Sequence, residues 1–488
     1  MRRRILRERY KNSIQIHWAT KGVMSNRYLF LDLHHVTRIE RLYRRLHQPQ
    51  RHPENPILRG ENPWESVASL YGTVLYDPSE KIFKMWYLTG PYVPGMVRVR
   101  SRRALGNITL LAYATSTDGI HWEKPILNQV DFEGSTANNL IDIGQTNCEG
   151  IAVLYDERDP NPQHRYKGFY WEHGGIDTFV KHDDGQLLWG HGQRDGMWLS
   201  FSPDGVHWRN YQANPVIPLD SDTTQSLVWD ARIGKYVVFG RFGAGGRKTA
   251  RAEADDCIHF SKPKLVFECD EVDEEGTQIY GMPINIYEGI YLGMIWMYRE
   301  GVDGTIDTSL ATSRDGIHWQ RVLDRQTFLS LGEPGGWEDG MARISQHFIP
   351  VGDQIFLYYG GVNGPHGGRK FTHVERKHQP MLGLATLRRD GFVSLDAGNE
   401  EGYMLTKPLQ IDGGNLHLNI DARDGYVTVA ITGDQGIPLD GYTSTQVTEN
   451  AVDTCVGFGQ PLEALKGKEI RMRFQMKQAS LFSYWFAK

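Results

Sequence analysis

One seven-residue segment recurs along this chain, and the recurrence restricts the fold more than any other feature. The segment reads STDGIHW at 116–122, SPDGVHW at 202–208 and SRDGIHW at 313–319. A weaker copy, ADDCIHF, occupies 254–260, and RRDGFVS at 388–394 keeps only the Asp-Gly pair. Asp-Gly between two alternating apolar runs is a strong β-hairpin signal, because both residues tolerate a positive φ. We therefore expect five copies of one β-corner between the outer strands of a small sheet.

A second hairpin precedes every corner, so each repeat supplies the strands of one antiparallel sheet. The first strands of these hairpins are YGTVLYD, GIAVLYD, SLVWD, YGMPINIY and ARISQHFIPV. Four strands per repeat, arranged radially, is the architecture of a β-propeller. The sequence therefore predicts a five-bladed β-propeller. A β-sandwich with repetitive turns is the alternative, but it gives no reason for two hairpins in a fixed order.

The segments that flank the repeats are predicted to fold differently. Residues 1–60 are expected to form a lead-in segment with a strand at 28–33, a helix over 36–47 and an extended stretch at 52–58. The propeller is expected over residues 61–398. Residues 399–488 contain alternating runs without the corner, which predicts an antiparallel β-sandwich. The predicted fold is thus all-β, a five-bladed β-propeller followed by a C-terminal antiparallel β-sandwich.

Composition and charge argue against several classes of function. A formal net charge of −5 over 488 residues provides no basic field for nucleic acid, and no apolar run approaches the roughly 20 residues of a transmembrane helix. The 4 cysteines show neither a C-x-x-C pair nor zinc spacing, and the N-terminus lacks the apolar core of a signal peptide. We therefore expect a cytoplasmic protein with no cofactor, no nucleic-acid partner and no membrane partner. The basic arm RRRILRER and the lead-in helix could mediate a homo-oligomer.

In a propeller, the residues just before each inner strand gather at one end of the central channel, where functional groups are expected. Nearly every repeat places an acid in this position. The candidate catalytic residues are Glu65, Glu149, Asp222, Glu338 and Asp339. Aromatic side chains could stack on sugar rings beside them. The candidate substrate-binding residues are Trp64, Tyr71, Tyr280, Trp337 and His366.

Two of these acids directly follow a tryptophan, Glu65 in PWE and Glu338 in GWE, and look like related solutions. Carboxylates that converge in an aromatic-lined pit suit glycoside hydrolysis. One of them is protonated and assists the leaving oxygen, while another is ionised as base or nucleophile. Each acid taken alone could equally be solvated or cap a turn. The corner histidines are expected to be structural, because they belong to the repeated turn: His121, His207, His259 and His318.

These repeats resemble the five-bladed propeller glycosidases, a group that includes the invertase/levanase-like and arabinanase-like families. The S-x-D-G-x-H-W corner is typical of an uncharacterised bacterial branch of that group. The resemblance implies a glycosidase whose three acids come from blades one to three, and by blade position these are Glu65, Glu149 and Asp222. The chain departs from the pattern in three places. It has no NDPNG segment before its first inner strand, and its RDP lies in a hairpin turn at 158–160. The Glu-Cys signature of the invertase-like acid/base is also absent, since Cys148 precedes Glu149.

The predicted function is therefore hydrolysis of a glycosidic bond in an oligo- or polysaccharide, with a carbohydrate as the partner molecule. Two alternatives remain open. A non-catalytic carbohydrate-binding propeller would use the same aromatic side chains. A metal-dependent sugar-active enzyme, such as a deacetylase or a His-assisted glycosidase, would need His366 or the His34/His35 pair beside the acids.

Overall fold

The computed structural model consists almost entirely of short β-strands, which confirms the predicted all-β class. It describes residues 27–91, 96–99, 102–105, 109–143, 148–172, 179–181, 187–189, 195–243, 245–367, 379–433 and 436–487. Within these ranges the helical elements are short 3-10 helices at Pro162–His164, Leu323–Arg325 and Leu462–Leu465. None of the described helices has the length and apolar character that crossing a membrane requires.

The stretch predicted as a helix over 36–47 forms two strands instead. β1 (Tyr28–Leu29) precedes them, β2 (Val36–Glu40) and β3 (Leu42–Leu46) replace the helix, and β4 (Gln50–Arg51) follows. Arg41 between β2 and β3 has a φ of 53°, which an α-helix does not contain. The helix prediction is wrong because pairing with two different sheets outweighs the local apolar spacing.

Five groups of antiparallel strands follow, and we interpret them as five blades numbered in chain order. Blade one contains β5 (Ser69–Asp77), β6 (Ile82–Thr89) and β9 (Leu110–Ser116), with an inserted hairpin of β7 (Met96–Val99) and β8 (Arg102–Leu105). Blade two contains β10 (Cys148–Tyr155), β11 (Tyr166–Glu172), β14 (Gly196–Ser202) and β15 (Arg209–Asn210), with an inserted hairpin of β12 (Phe179–Lys181) and β13 (Leu187–Trp189). Blade three contains β16 (Ser226–Asp230), β17 (Lys235–Gly240), β18 (Thr249–Ala254) and β19 (Lys264–Phe267).

Blades four and five complete the ring, and the N-terminal segment supplies the last strand. Blade four contains β20 (Gln278–Gly281), β21 (Ile284–Tyr287), β22 (Ile290–Tyr298), β23 (Ile306–Ser313), β24 (Trp319–Arg321) and β25 (Thr327–Leu329). Blade five contains β26 (Met341–Val351), β27 (Gln354–Val362) and β28 (Met381–Arg388). Strand β4 pairs with β28 as the outer strand of blade five. The last blade is therefore completed by a strand from the N-terminal segment, distant in sequence.

The inner strands form a closed ring around the propeller axis. Strands β5, β10, β16, β21 and β26 contact one another in this order, and β26 contacts β5. A bulge in β26 carries polar side chains to the other blades: Ser345 Oγ donates to the Gly72 carbonyl at 2.8 Å, and Gln346 Nε2 donates to the Leu227 carbonyl at 3.2 Å. His347 Nε2 lies 3.2 Å from the carbonyl oxygen of Val153. Blade five is therefore linked across the ring to blades one, two and three.

The corners have the predicted turn chemistry, and the first copy shows it. Ser116 Oγ accepts from the Gly119 amide at 2.8 Å, and Asp118 Oδ1 accepts from the amides of Ile120 and His121. His121 Nδ1 lies 2.7 Å from Asp118 Oδ2. The same Asp–His contact recurs in the copies at His207, His259 and His318. The histidines therefore serve the turns.

Corners also pack against the preceding blade, and this contact explains why the seven-residue segment is repeated. Trp86 Nε1 of blade one donates to the Gly205 carbonyl of blade two at 2.7 Å, and Tyr358 Oη of blade five donates to the Gly119 carbonyl of blade one at 2.8 Å. Both glycines have a positive φ, and a Cβ on either would crowd the docked aromatic ring. Glycine is thus required by the turn and by the close approach of the neighbouring blade.

The fifth corner departs from the prediction. It does not join two outer strands of a blade but leads from β28 into β29 (Val393–Ala397), the first strand of the C-terminal part. The remaining strands are β30 (Gly402–Thr406), β31 (Leu409–Gln410), β32 (Asn415–Asp421), β33 (Tyr426–Thr432), β34 (Pro438–Thr443), β35 (Asn450–Val456), β36 (Glu469–Lys477) and β37 (Ala479–Ala487). They form two 6-stranded sheets together with β1, β2 and β3. One continuous apolar core joins these sheets to blades four and five.

Candidate functional site

We call the end of the ring at which the inner strands begin the mouth. Tyr71 lies near the start of β5, Glu149 near the start of β10 and Arg343 near the start of β26. Asp222 lies four residues before β16, and Tyr280 lies within β20. All five inner strands begin at this end of the ring. Side chains near the starts of these strands therefore lie in one region.

The segments that carry Glu149 and Asp222 are in direct contact. The Gln225 amide donates to the carbonyl oxygen of Gly150 at 3.2 Å. Gly150 has a φ of 61°, and a Cβ there would overlap the carbonyl oxygen of Thr223. Glu149 is half-buried, whereas the Asp222 side chain is 76% exposed. Two carboxylates from neighbouring blades therefore lie on adjoining segments in different environments.

Tyr71 and Arg343 form the innermost contact of the mouth. Arg343 Nη1 donates to Tyr71 Oη at 2.5 Å, and its guanidinium carbon lies 4.6 Å from the centroid of the Tyr71 ring. The same guanidinium lies 5.3 Å from the Trp296 ring, which meets Tyr71 edge to face at 5.4 Å. Burial raises the pKa of Tyr71 well above its ordinary value; Arg343 opposes this shift, and Tyr280 and Asp222 add to it. Tyr71 therefore keeps its proton and has Tyr280 and Asp222 as neighbours.

Arg241 connects Asp222 with Tyr280. Its Nη2 donates to the Tyr280 carbonyl at 2.7 Å, and its Nη1 lies 3.8 Å from Asp222 Oδ2. Burial lowers the pKa of Arg241, while the nearby Asp222 carboxylate opposes the shift. Arg241 follows the last residue of β17, so blade three supplies both members of this loose ion pair.

The rim beside Tyr280 is aromatic and basic. The His366 ring meets Tyr280 at 4.8 Å and Tyr298 at 5.1 Å, both edge to face. The guanidinium of Arg247 lies 4.9 Å from the Tyr298 ring, and its Nη1 lies 3.3 Å from a Glu300 oxygen. His366 is therefore placed at the mouth, as predicted from its position after the second strand of blade five.

Glu65 and Trp64 lie inside blade one. Glu65 is 0% exposed and accepts from Tyr87 Oη, from Asn62 Nδ2 at 3.0 Å and from Lys124 Nζ at 2.7 Å. Trp64 packs on the apolar core between blades one and five, and its Nε1 donates to Asn139 Oδ1 at 2.9 Å. All these partners belong to blade one or to the segment before it, so the structure does not bring Glu65 together with Asp222.

Glu338 and Trp337 repeat this arrangement in blade five. Glu338 is 5% exposed, and Arg51 Nε of strand β4 donates to its Oε1 at 2.8 Å. The carboxylate of Glu338 also raises the pKa of Tyr359, behind the larger effect of burial. Trp337 stacks on the Tyr359 ring at 5.8 Å. The PWE and GWE segments therefore have similar structures. In each of them the glutamate is buried and contacts a basic residue and a tyrosine.

Asp339 shapes the loops near the rim. Its Oδ2 accepts from the Gly335 amide at 2.8 Å, and its Oδ1 accepts from the Gly364 amide at 2.7 Å. The Gly364 contact fixes the turn that precedes His366. Asp339 therefore supports a mouth residue through the backbone.

Of the predicted site residues, Glu149, Asp222, Tyr71, Tyr280 and His366 lie at the mouth. Sequence reasoning missed the arginines beside them, Arg241, Arg247 and Arg343. Arg343 could have been found, because it is the one Lys, Arg, Asp or Glu residue of the inner strand MARISQHFIPV. A charged residue in such a strand is uncommon unless it has a partner or a role.

The histidine pair considered for a metal lies away from the mouth. The His34 and His35 rings meet at 5.1 Å, and His35 also contacts Tyr28 edge to face. Burial is the main cause that lowers the pKa of His35 to about 4, with Arg314 contributing next. Among the residues that the structure describes, no three or more His, Cys, Asp or Glu side chains are grouped as metal ligands.

No known family description matches this sequence, and no curated protein matches it. Among solved structures, the chain is similar to a glycoside hydrolase family 43 arabinoxylan arabinofuranohydrolase from Bacillus subtilis. That match has 10% identity and a TM-score of 0.41, and it covers 90% of this chain and 99% of the other. A putative glycosidase from Bacteroides thetaiotaomicron matches with 16% identity and a TM-score of 0.45, covering 69% of this chain and 96% of the other.

A third similar structure is a member of the GH130 family of mannoside phosphorylases, whose title states that the family contains glycoside hydrolases that target β-1,2 mannosidic linkages in Candida mannan. It matches with 15% identity and a TM-score of 0.43, over 70% of this chain and 94% of the other. These neighbours are described as glycoside hydrolases and as a member of a family of mannoside phosphorylases. At such identities the likeness concerns the fold, so the chemistry of the mouth is argued from its own side chains.

Proposed function

We propose that this protein is a carbohydrate-active enzyme that hydrolyses a glycosidic bond of an oligo- or polysaccharide at the mouth of the propeller. The observation that carries the proposal is the contact between the segments of Glu149 and Asp222, beside Tyr71 and Tyr280. Glycoside hydrolysis requires two carboxyl groups in different protonation states beside the bound sugar. Glu149 and Asp222 supply two carboxyl groups on adjoining segments for these two roles.

The assignment of roles follows from the surroundings of each group. Glu149, which is half-buried and lies near the start of β10, is assigned to the general acid. Asp222, which is exposed and lies 3.8 Å from Arg241, is assigned to the base or nucleophile. Tyr71 and Tyr280 are half-buried aromatic residues, the kind of side chain that packs against a sugar ring. We leave Glu65, Glu338 and Asp339 out of the catalytic set, because each is occupied by contacts within the fold.

The test compares mouth acids with buried acids of the same chemical type. Wild type, Glu149→Gln and Asp222→Asn are assayed on a panel of aryl glycosides and natural oligosaccharides, with Glu65→Gln and Glu338→Gln as matched controls. We expect the mouth variants to lose roughly 100- to 10,000-fold in kcat, as when a general acid or base is removed, without a change in Tm. The controls should lose stability and keep their activity per folded molecule. Full activity of Glu149→Gln and Asp222→Asn on a hydrolysed substrate would refute the assignment.

A non-catalytic carbohydrate-binding propeller is the second candidate. It is favoured by the position of Glu65 and Glu338 inside the blades, because fewer acids remain at the mouth than the sequence predicted. Saccharide binding without turnover in the wild type, and with equal affinity in Glu149→Gln, would support this candidate over the hydrolase.

A further inference from the structure

Arg343 is a buried cation that forms no ion pair with any described carboxylate. It is 5% exposed, and its only hydrogen bond to a described residue is the one from Nη1 to Tyr71. Other buried arginines of the described structure are paired: Arg321 Nη2 lies 2.6 Å from Asp273, and Arg251 Nη1 lies 2.7 Å from Glu253. An unpaired buried charge is costly, so a protein that keeps one gains from a partner that arrives with a ligand.

The donors of Arg343 are largely unused. A guanidinium has five N–H donors in a planar fork that matches the two oxygens of a carboxylate. One of these donors is bound to Tyr71, and the buried Nε has no partner. The Tyr71 and Trp296 rings stabilise the charge from the side but accept no hydrogen bond from Nε. The group is therefore held in place with free hydrogen-bonding capacity.

The charges around Arg343 indicate how much negative charge a ligand should carry. Arg247 faces Glu300 at 3.3 Å, and Arg241 faces Asp222 at 3.8 Å. Arg343 is the arginine of this group that lacks such a partner. A single uncompensated positive charge matches one singly charged group better than a doubly charged one.

We propose that the mouth takes an acidic saccharide, and that Arg343 binds the carboxylate of a uronic acid residue next to the cleaved bond. This inference rests on the proposed function for its location, since it names the substrate class of the same mouth. Tyr71 shares a hydrogen bond with Arg343 and orients its fork. Arg343 is thus a specificity-determining residue, and no bond is made or broken on it.

The experiment measures binding separately from turnover. The full-length Glu149→Gln protein is titrated calorimetrically with trisaccharides of galacturonic and of glucuronic acid, with their carboxyl-reduced counterparts, and with inorganic phosphate. We expect at least one acidic trisaccharide to bind about 10- to 100-fold more tightly than its carboxyl-reduced form. Adding Arg343→Met should abolish that preference, whereas Arg343→Lys should keep part of it because the charge remains. Arg321→Met is the matched control, a buried arginine of blade four, and should leave the preference unchanged.

Equal affinity for acidic and carboxyl-reduced saccharides would overturn the inference, and so would Arg343-dependent binding of phosphate without binding of uronides. If Arg343→Met does not fold, the comparison of the two saccharide forms still decides. The two proposals fail separately. Neutral saccharides that are hydrolysed without any acidic preference would retain the hydrolase and remove the inference. Acidic saccharides that bind through Arg343 and are never cleaved by the wild type would retain the role of Arg343 in binding and remove the hydrolase.

Discussion

At the end of the ring that carries the corners, each of the first three inner strands ends at an aspartate, or one residue before it, and this aspartate has several partners. Asp77 accepts from Lys84 and Tyr166, Asp156 from Tyr236, and Asp230 from Arg232 and Tyr291. At the mouth, where the same strands begin, Asp222 is exposed beside one distant arginine and Arg343 is buried without a carboxylate. The first three inner strands therefore end in paired charges, whereas Asp222 and Arg343 at the mouth are incompletely paired.

The paired end holds the blades together. Each of the three tyrosines belongs to the second strand of one blade and donates to the aspartate of the blade before it. Such bonds are worth little individually, but they add to the other polar contacts and the apolar contacts between the blades. The mouth also has contacts between blades, from Arg343 to Tyr71 and from Arg241 to the Tyr280 carbonyl, but it leaves Asp222 exposed and Arg343 without a described carboxylate. Charge that is not used for stability is available for a ligand, and this difference leads to predictions in order of expected size.

Lys84→Met should give the largest loss of stability, about 3–5 kcal/mol in the free energy of unfolding. Lys84 and Asp77 have side chains 1% exposed and lie 2.8 Å apart, so removing the lysine leaves a buried carboxylate. Burial raises the pKa of Asp77, but hydrogen bonds from Lys84, Ser79 and Tyr166 outweigh it and hold that pKa below its usual range. Urea denaturation measures the loss. Lys248→Met, at an exposed pair near the mouth, should change stability by less than about 0.5 kcal/mol. Similar losses for both variants would remove the contrast between the two ends.

Glu65→Gln should come next, with a loss of about 1–3 kcal/mol, because a buried charged hydrogen-bond acceptor is replaced by a neutral amide. Asp222→Asn provides the comparison and should leave the free energy of unfolding within about 0.5 kcal/mol, since its side chain is exposed. Both are measured by denaturant titration of the same preparation. If Asp222→Asn were the more destabilising change, the mouth acid would be structural and the distinction drawn between the two acids would be lost.

The sequence predicted the corners well because their chemistry is local. Asp118 and His121 are three residues apart, so the contact between them follows from the turn alone. The strands of the blades were found for a similar reason, since alternation and turn residues are properties of neighbouring positions. The helix over 36–47 failed because the partners of β2 and β3, strands β30 and β29, are more than 300 residues away.

The acids were harder to place because their surroundings are not local. Glu65 is buried by Lys124 and Glu338 by Arg51, partners that no spacing rule identifies. The same blade position therefore gives an anchor in blade one and an exposed acid in blade three. Arg343 is the exception, since it is the one Lys, Arg, Asp or Glu residue of its inner strand and is visible as such in the sequence.

The tyrosine contacts between blades should each contribute a smaller amount, about 1–2 kcal/mol for Tyr236→Phe or Tyr291→Phe. Tyr236 Oη donates to Asp156 at 2.5 Å and Tyr291 Oη donates to Asp230 at 2.6 Å, and both rings are buried. Tyr280→Phe at the mouth is the matched control, and its midpoint of thermal unfolding should stay close to that of the wild type. A larger shift for Tyr280→Phe than for the other two would assign the mouth a structural role.

The smallest predicted effect is a pH dependence at the corner end. Burial raises the pKa of Asp256, but hydrogen bonds from the amides of His259 and Ile258 and from the His259 ring outweigh it and hold that pKa at about 2. Because the folded pKa lies below the value of the unfolded chain, the carboxylate stabilises the fold above about pH 4. This contribution is lost as the pH falls towards 2. The side chain is 47% exposed, so the effect is modest.

Asp256→Asn should therefore flatten the acid limb of a plot of urea midpoint against pH between 5 and 2, relative to the wild type. Asp222→Asn, at the mouth, is measured in parallel, because the exposed Asp222 accepts no hydrogen bond from an amide of the described residues. Subtracting each variant's curve from that of the wild type isolates the contribution of one carboxylate from those of the other acids. An acid limb that Asp222→Asn flattens as much as Asp256→Asn would mean that the mouth carboxylate is also engaged by the fold. It would then be a poorer candidate for a group that acts on substrate.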